Sequence, residues 1–250
     1  MDAGWISQML KATLPAGARR WLRSQKNLFR RARPFGRTRG ELLEQTKPVS
    51  ARFGLDRGLP IDRYYIDQFL SAHQSDICGH VLEVEDDLYA TRFGGGRVRH
   101  LDILHVQPGN SRATIIADLS AENSIPSETF DCIILTQTLQ FIYDVHATVR
   151  NVHRILKPGG VVLATVPGIS QISRYDMDRW NDYWRFTTAS VERLFSSVFP
   201  ESHLEIRAYG NALVASAFLH GLAAEELLED ELRYADPDYE MLITLRGKRA

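Results

Sequence analysis

Carboxylates recur at the ends of short apolar runs through the middle of this chain, a placement that suits a ligand carrying hydroxyls or positive charge. Glu83 and Glu85 close Val81-Leu82-Glu83-Val84-Glu85, Asp102 closes the run from Val98, and Asp118 closes Ile115-Ile116-Ala117-Asp118. Asp102 follows Glu83 by 19 residues. A carboxylate so spaced, at the end of a second strand, is placed to accept hydrogen bonds from a ribose diol. Glu85-Asp86-Asp87 fills the turn where nucleotide folds carry glycines. Three adjacent acids repel phosphate, so the turn argues against a dinucleotide and for a phosphate-free, cationic ligand. A second constellation, Trp180-Asn181-Asp182-Tyr183-Trp184-Arg185-Phe186-Thr187, is dense in rings and polar groups. Rings pack the CH face of a sugar while carboxylate and guanidinium groups bind its hydroxyls. The competing reading has equal weight: Tyr183, Trp184 and Phe186 pack the loop on the sheet, and Arg185 ties down backbone carbonyls.

These groups need a scaffold, and the runs between them supply one. Short β-branched runs at 81–84, 98–102, 115–117, 130–135 and 161–165 alternate with helical segments, which predicts an α/β fold with parallel strands joined by crossovers. Ligands of such sheets sit at the carboxyl ends of the strands. Leu59-Pro60 starts a helix whose stripe of Ile61, Tyr65, Ile66, Phe69 and Leu70 packs on the sheet, with Arg63 and Tyr64 off the stripe. Gly94-Gly95-Gly96 reads as a turn. Asp144 caps a helix carrying Val149, Val152 and Ile155, and Lys157-Pro158-Gly159-Gly160 ends it. Further on, Thr187-Thr188 caps a helix with Val191, Leu194 and Phe195 on one face. A strand at 204–206, an apolar helix at 212–222 and a last strand at 239–245 follow.

With 44% hydrophobic residues, the 250-residue chain can bury a sizeable core without a staple. Cys78 and Cys132 read as reduced, and no metal-ligand spacing of Cys or His is visible. The sequence has no apolar run of 18 residues, so a cytoplasmic protein is expected. The net charge of −1 conceals an asymmetry: residues 1–39 hold ten Lys or Arg against Asp2, a balance of +9, which leaves −10 for the remainder. Residues 1–46 therefore read as a basic, partly helical extension and 47–250 as the main domain. The extension suits peripheral contact with an anionic membrane or with the acidic body of the chain.

The strand and turn motifs resemble those of class I S-adenosylmethionine-dependent methyltransferases, the type 11 group in particular. The carrying features are LEVE at 82–85, Asp102, ADL at 117–119, FDCIILTQTLQFIYD at 130–144 and RILKPGGVVLATVP at 154–167. The resemblance implies a Rossmann-like, doubly wound, seven-stranded sheet, mostly parallel, with an antiparallel last strand between the fifth and sixth. It implies S-adenosylmethionine as cofactor, with Glu83, Val84, Glu85 and Asp86 near its methionine part and Thr136 and Gln137 lining the methionine side. Asp102 and Ile103 would lie at the ribose, and Asp118 and Leu119 at the adenine. The family's first motif carries glycines where Glu85, Asp87 and Tyr89 stand here. DYWRFT at 182–187 is similar to a segment in methyltransferases of bacterial polysaccharide and glycolipid pathways, which implies O-methylation of a sugar or another polar small molecule. A hydroxyl acceptor needs a base. Asp182 and Asp178 are the candidates, with Tyr183 and Arg185 as positioners, because Gln140 stands where many relatives carry histidine. A rival reading, a binding or scaffold module that keeps the fold without catalysis, rests on the glycine-free turn. Nucleic acid is not an expected partner, given the acidic body and the absence of an Asn-Pro-Pro-Tyr type motif.

Overall fold

The computed structural model describes residues 45–122 and 124–250, so most of the basic extension lies outside the described residues. Seven strands form one sheet: β1 (Gly79–Val84), β2 (Val98–His105), β3 (Ile115–Ile116), β4 (Phe130–Thr136), β5 (Leu156–Pro167), β6 (Leu204–Tyr209) and β7 (Leu242–Lys248). Their order is β3-β2-β1-β4-β5-β7-β6. The pairs among β1 to β5 are parallel, and β7 runs antiparallel between β5 and β6. This is the doubly wound, Rossmann-like sheet that the motifs implied, with its last strand where it was expected.

Alternating side chains send β1, β4 and β5 into two cores. Val81, Cys132, Ile134 and Leu163 meet α1 (Ile61–Ala72) and α5 (Ala212–Leu219) on one face. Leu82, Ile133, Leu135, Val162 and Ala164 meet α2 (Val145–Ile155) and α4 (Thr188–Phe195) on the other. These strands bury both faces, which explains their nearly continuous apolar runs. The helix starts follow the capping residues: Asp144 accepts from Ala147 N in α2, and Thr187 forms a reciprocal cap with Ser190 in α4. α2 stops at Ile155, and the Lys-Pro-Gly-Gly turn is drawn into the start of β5 with Gly159 at φ 79°.

The crossovers depart from expectation. Between β1 and β2 the chain makes only a five-residue π-helical turn (Ala90–Gly94) and a short 3-10 turn (Gly95–Arg97). The β2–β3 and β3–β4 connections contain no helix among the described residues. Helical periodicity is weak in 85–97 and absent from the polar stretch 106–114, so the sheet is left thinly covered at the β2–β3 edge. Two short helices complete the fold: α3 (Arg174–Trp180) follows β5 and buries none of its residues, and α6 (Glu229–Arg233) buries only Leu232.

Candidate active site

A cavity of about 1500 Å³ opens at the carboxyl ends of β1, β2, β4 and β5. One wall comes from the β1 turn, the ends of β2 and β4 and the segment after β3. The other comes from 138–144, α3 and the loops flanking it.

Glu83 is the buried anchor of the first wall, with 1% exposure. Its carboxylate accepts from Tyr89 N at 3.0 Å and Ala90 N at 2.7 Å, so the π-helical turn folds onto it. Burial pushes its pKa up from 4.5 to about 7; the two backbone donors oppose the rise, and the charges of Asp86 and Asp87 add to it. Glu85 stands where the family has glycine and adopts glycine's backbone, with φ 75°. Its N–H donates to Leu104 O, and Asn110 Nδ2 donates to its carbonyl at 2.6 Å. Asp87 is drawn away to an ion pair with Arg112, while Tyr89 is buried and its hydroxyl accepts from Arg63 Nη1 at 2.7 Å. Of the three residues at the family's glycine positions, Glu85 alone takes a left-handed backbone; Tyr89 is helical at φ −80°.

Positive φ outside glycine occurs at five described residues, and four of them, Phe53, Glu85, Gln137 and Asn181, line this cavity. Strained backbone of this kind persists where surrounding structure over-determines it, commonly at ligand sites. Gln137 is fixed by its N–H, which donates to Thr165 O at 2.9 Å.

The expected cofactor residues Glu83, Val84, Glu85, Asp86, Asp118, Leu119, Thr136 and Gln137 all line the cavity. Asp118 makes a turn in which Oδ1 accepts from Ser120 N and Oγ, and Asn151 of α2 pins that segment through Leu119 O at 2.9 Å. Asp102 and Ile103 do not line it. β2 runs on to His105, so Asp102 sits three residues, about 10 Å, short of the strand's end. Its carboxylate is taken by His80 Nε2 at 2.7 Å and Thr114 Oγ1 at 2.6 Å. The groups that reach the cavity here are Leu104 and His105 at the end of β2 and Val106 and Gln107 in the loop after it.

On the acceptor wall, Asp182, Tyr183 and Arg185 line the cavity and Asp178 does not. Asp178 is exposed on α3, two residues or about 200° around the helix from Asp176, which does line it. Arg185 is a latch: Nε donates to Ser170 O, Nη1 to Asp182 Oδ1 and Trp184 O, and Nη2 to Gln171 O and Asp182 Oδ2. All five of its N–H donors are thereby used, and both oxygens of Asp182 are engaged. Gly168 makes the loop it holds possible, because a Cβ there would lie 1.9 Å from Glu240 O. Tyr183 N donates to Gln140 O and Trp184 Nε1 to Ile142 O, joining the two halves of the wall. Gln140 is 4% exposed; its Nε2 donates to Gln137 O, and its Oε1 is buried without a partner. Tyr143 and Tyr183 meet edge to face at 5.3 Å at the rim.

The family model described as "Methyltransferase domain" matches residues 61–208, more than half of the chain and nearly the whole of both cavity walls. The chain belongs to the methyltransferase-domain family. It is an S-adenosylmethionine-dependent methyltransferase, an enzyme, with S-adenosylmethionine as its cofactor. No curated protein matches the sequence. Among solved structures it is similar to the N-methyltransferase NodS of Bradyrhizobium japonicum WM9 in complex with S-adenosylhomocysteine, at 14% identity and TM-score 0.49 over 84% of this chain and 97% of that one. A methyltransferase from Archaeoglobus fulgidus aligns at 10% identity and TM-score 0.47 over 75% and 90% of the two chains. The complex of the Haloferax volcanii Trm112 activator with a methyltransferase gives 15% identity and TM-score 0.47 over 76% and 94%.

The cavity of this methyltransferase suits its cofactor on its own evidence. A buried carboxylate with an elevated pKa faces a space large enough for cofactor and acceptor together, and a sulfonium or ammonium group would restore its charge. The sequence did not single out His105 and Asp176, which line the cavity, or Asn151, which braces the segment carrying Asp118. His105 carried a usable signal, since it is the last residue of the β2 run; Asn151 resembled any polar helix residue. Among the described residues no helix is long and apolar enough to cross a membrane.

Proposed function

We propose that this methyltransferase methylates a hydroxyl of a carbohydrate or a similar polar small molecule. The supporting observation is the acceptor wall, where the rings of Tyr143, Tyr175, Trp180 and Tyr183 lie beside Asp176, Asn181 and Arg179 on one cavity. Ring faces next to carboxylate, amide and guanidinium groups match the alternating CH and OH faces of a sugar.

When bound, S-adenosylmethionine supplies an activated methyl group on sulfur. Glu83, Glu85 and Asp86 would hold its methionine, with Thr136 and Gln137 on the other side of that part of the cavity. His105 would meet the ribose that Asp102 does not reach, and Asp118 and Leu119 would hold the adenine. The Arg185–Asp182 latch fixes the 170–185 rim, so the acceptor oxygen is held in line, which is where most of the acceleration arises. Asp182 is a positioning residue in this reading. The acceptor proton passes to Asp176, whose residue lines the cavity and whose carboxylate makes no hydrogen bond or ion pair among the described residues.

Transfer of isotope-labelled methyl to a panel of monosaccharides, glycolipids and amines tests the acceptor class. Label recovered as a methyl ether supports it, and label recovered only on nitrogen rejects it. Asp176→Asn is expected to lower kcat by about 10²- to 10⁴-fold with cofactor binding retained; unchanged kcat on the identified acceptor removes Asp176 from the mechanism.

A further inference from the structure

At the end of β1 and β2 away from the cavity, His80, His100 and Asp102 converge on the sheet face that the helix-less crossovers leave open. His80 and His100 are register partners on adjacent parallel strands, and Asp102, two residues beyond His100, shares their face. The two imidazole rings lie edge to face at 4.4 Å. Their Nε2 atoms both point at one carboxylate oxygen, Asp102 Oδ2, at 2.7 and 3.6 Å. One ligand atom from each residue lies within 4.8 Å of the others.

An ion pair accounts for only half of this. One imidazolium satisfies Oδ2, and a second brought to the same oxygen adds repulsion between like charges. A single divalent ion does better, because two neutral imidazoles and a carboxylate then bind one centre. Bonds of 2.0–2.1 Å in a tetrahedron hold donor atoms about 3.3 Å apart, between the 2.7 and 3.6 Å that separate the two imidazole nitrogens from Asp102 Oδ2, so side-chain rotations of about an ångström close the site. The supporting contacts are in place. Thr114 Oγ1 donates to Asp102 Oδ1 and leaves Oδ2 for the ion. The His80 ring rests edge-on at 4.7 Å against Phe130, which is fully buried. Such partners orient ligands and are worth 10- to 100-fold in affinity. His100 is 65% exposed in its side chain, which leaves an entry path.

We infer that His80, His100 and Asp102 form a binding site for a borderline divalent transition metal such as Zn²⁺, which clips β1 to β2 at the end of the sheet opposite the catalytic cavity. Two nitrogens and one oxygen favour Zn²⁺ over Mg²⁺ or Ca²⁺. Water fills the remaining position. The ion ties the two strands together where no crossover helix does, and its role is separate from methyl transfer.

The test uses the tag-free full chain, stripped with chelator and titrated with Zn²⁺ by calorimetry, beside His100→Ala and His80→Ala. One saturable site per chain is expected. Affinity should fall by at least about tenfold in each variant, and S-adenosylhomocysteine should bind all three proteins alike, which shows that they are folded. Cobalt should give the visible absorption of a four-coordinate site in the parent chain alone. No saturable Zn²⁺ binding, or a loss smaller than tenfold in His100→Ala, overturns the site.

Discussion

Glu83 and Asp102 look alike in the sequence, each an acid near the end of a strand-like run, yet the fold gives them opposite surroundings. Glu83 is enclosed, accepts only from backbone N–H groups and faces the cavity. Asp102 lies lower in the sheet, bound by a hydroxyl and an imidazole with a second imidazole close by, and partly exposed. The difference teaches that depth along the strand decides function. Two carboxylates on neighbouring strands serve different ligands when one strand continues three residues past its acid.

The largest expected effect concerns Glu83 in the cofactor-free protein. Its pKa is raised from 4.5 to about 7, so the folded state holds a proton that the unfolded chain has released. Its contribution to stability is therefore present below about pH 4.5 and declines as pH rises to about 7, by about 3 kcal/mol in all. Urea unfolding of the parent and Glu83→Gln should show their stability difference moving by that amount over this window, with Gln the more favoured at pH 7. A pH-independent difference would mean that the carboxylate is already charged in its pocket.

Cofactor affinity sharpens the contrast next. Glu83→Ala should weaken S-adenosylhomocysteine binding by about 100-fold, roughly the loss of a buried charge-assisted contact, while Asp102→Ala should change it less than twofold. Calorimetric titration of the two variants decides it, and a large loss in Asp102→Ala would return that acid to the ribose. The smallest effect is at the turn between them. Glu85→Gly removes a side chain from a left-handed backbone position and should stabilise the protein by about 1 kcal/mol in thermal or urea unfolding, with cofactor affinity kept. A loss of affinity instead would show that the Glu85 side chain itself touches ligand.

Much of the fold was readable because its signals are local. The runs of β1, β4 and β5, the caps at Asp144 and Thr187 and the Lys-Pro-Gly-Gly stop each follow from a few neighbouring residues. The missing crossover helices were less visible, since strand spacing says that chain must return but not how. Strand ends and family motifs point to Glu83, Asp118, Thr136 and Gln137, all of which line the cavity. Asp178, named in the sequence beside Asp182, is turned outward by a helical phase that is fixed only once α3 is placed. The pairing of His80 with His100 depends on strand register, 20 residues apart in the chain, and spacing rules for metal motifs do not reach it.

β7 has a consequence for how the molecule is assembled. It fills the gap between β5 and β6 and pairs with both along six or seven positions. During synthesis the chain emerges amino end first, so β6 is made long before it has any neighbour to join. The sheet's seam closes only when residues 242–248 leave the ribosome, and until then two strand edges with apolar faces wait exposed to other nascent chains.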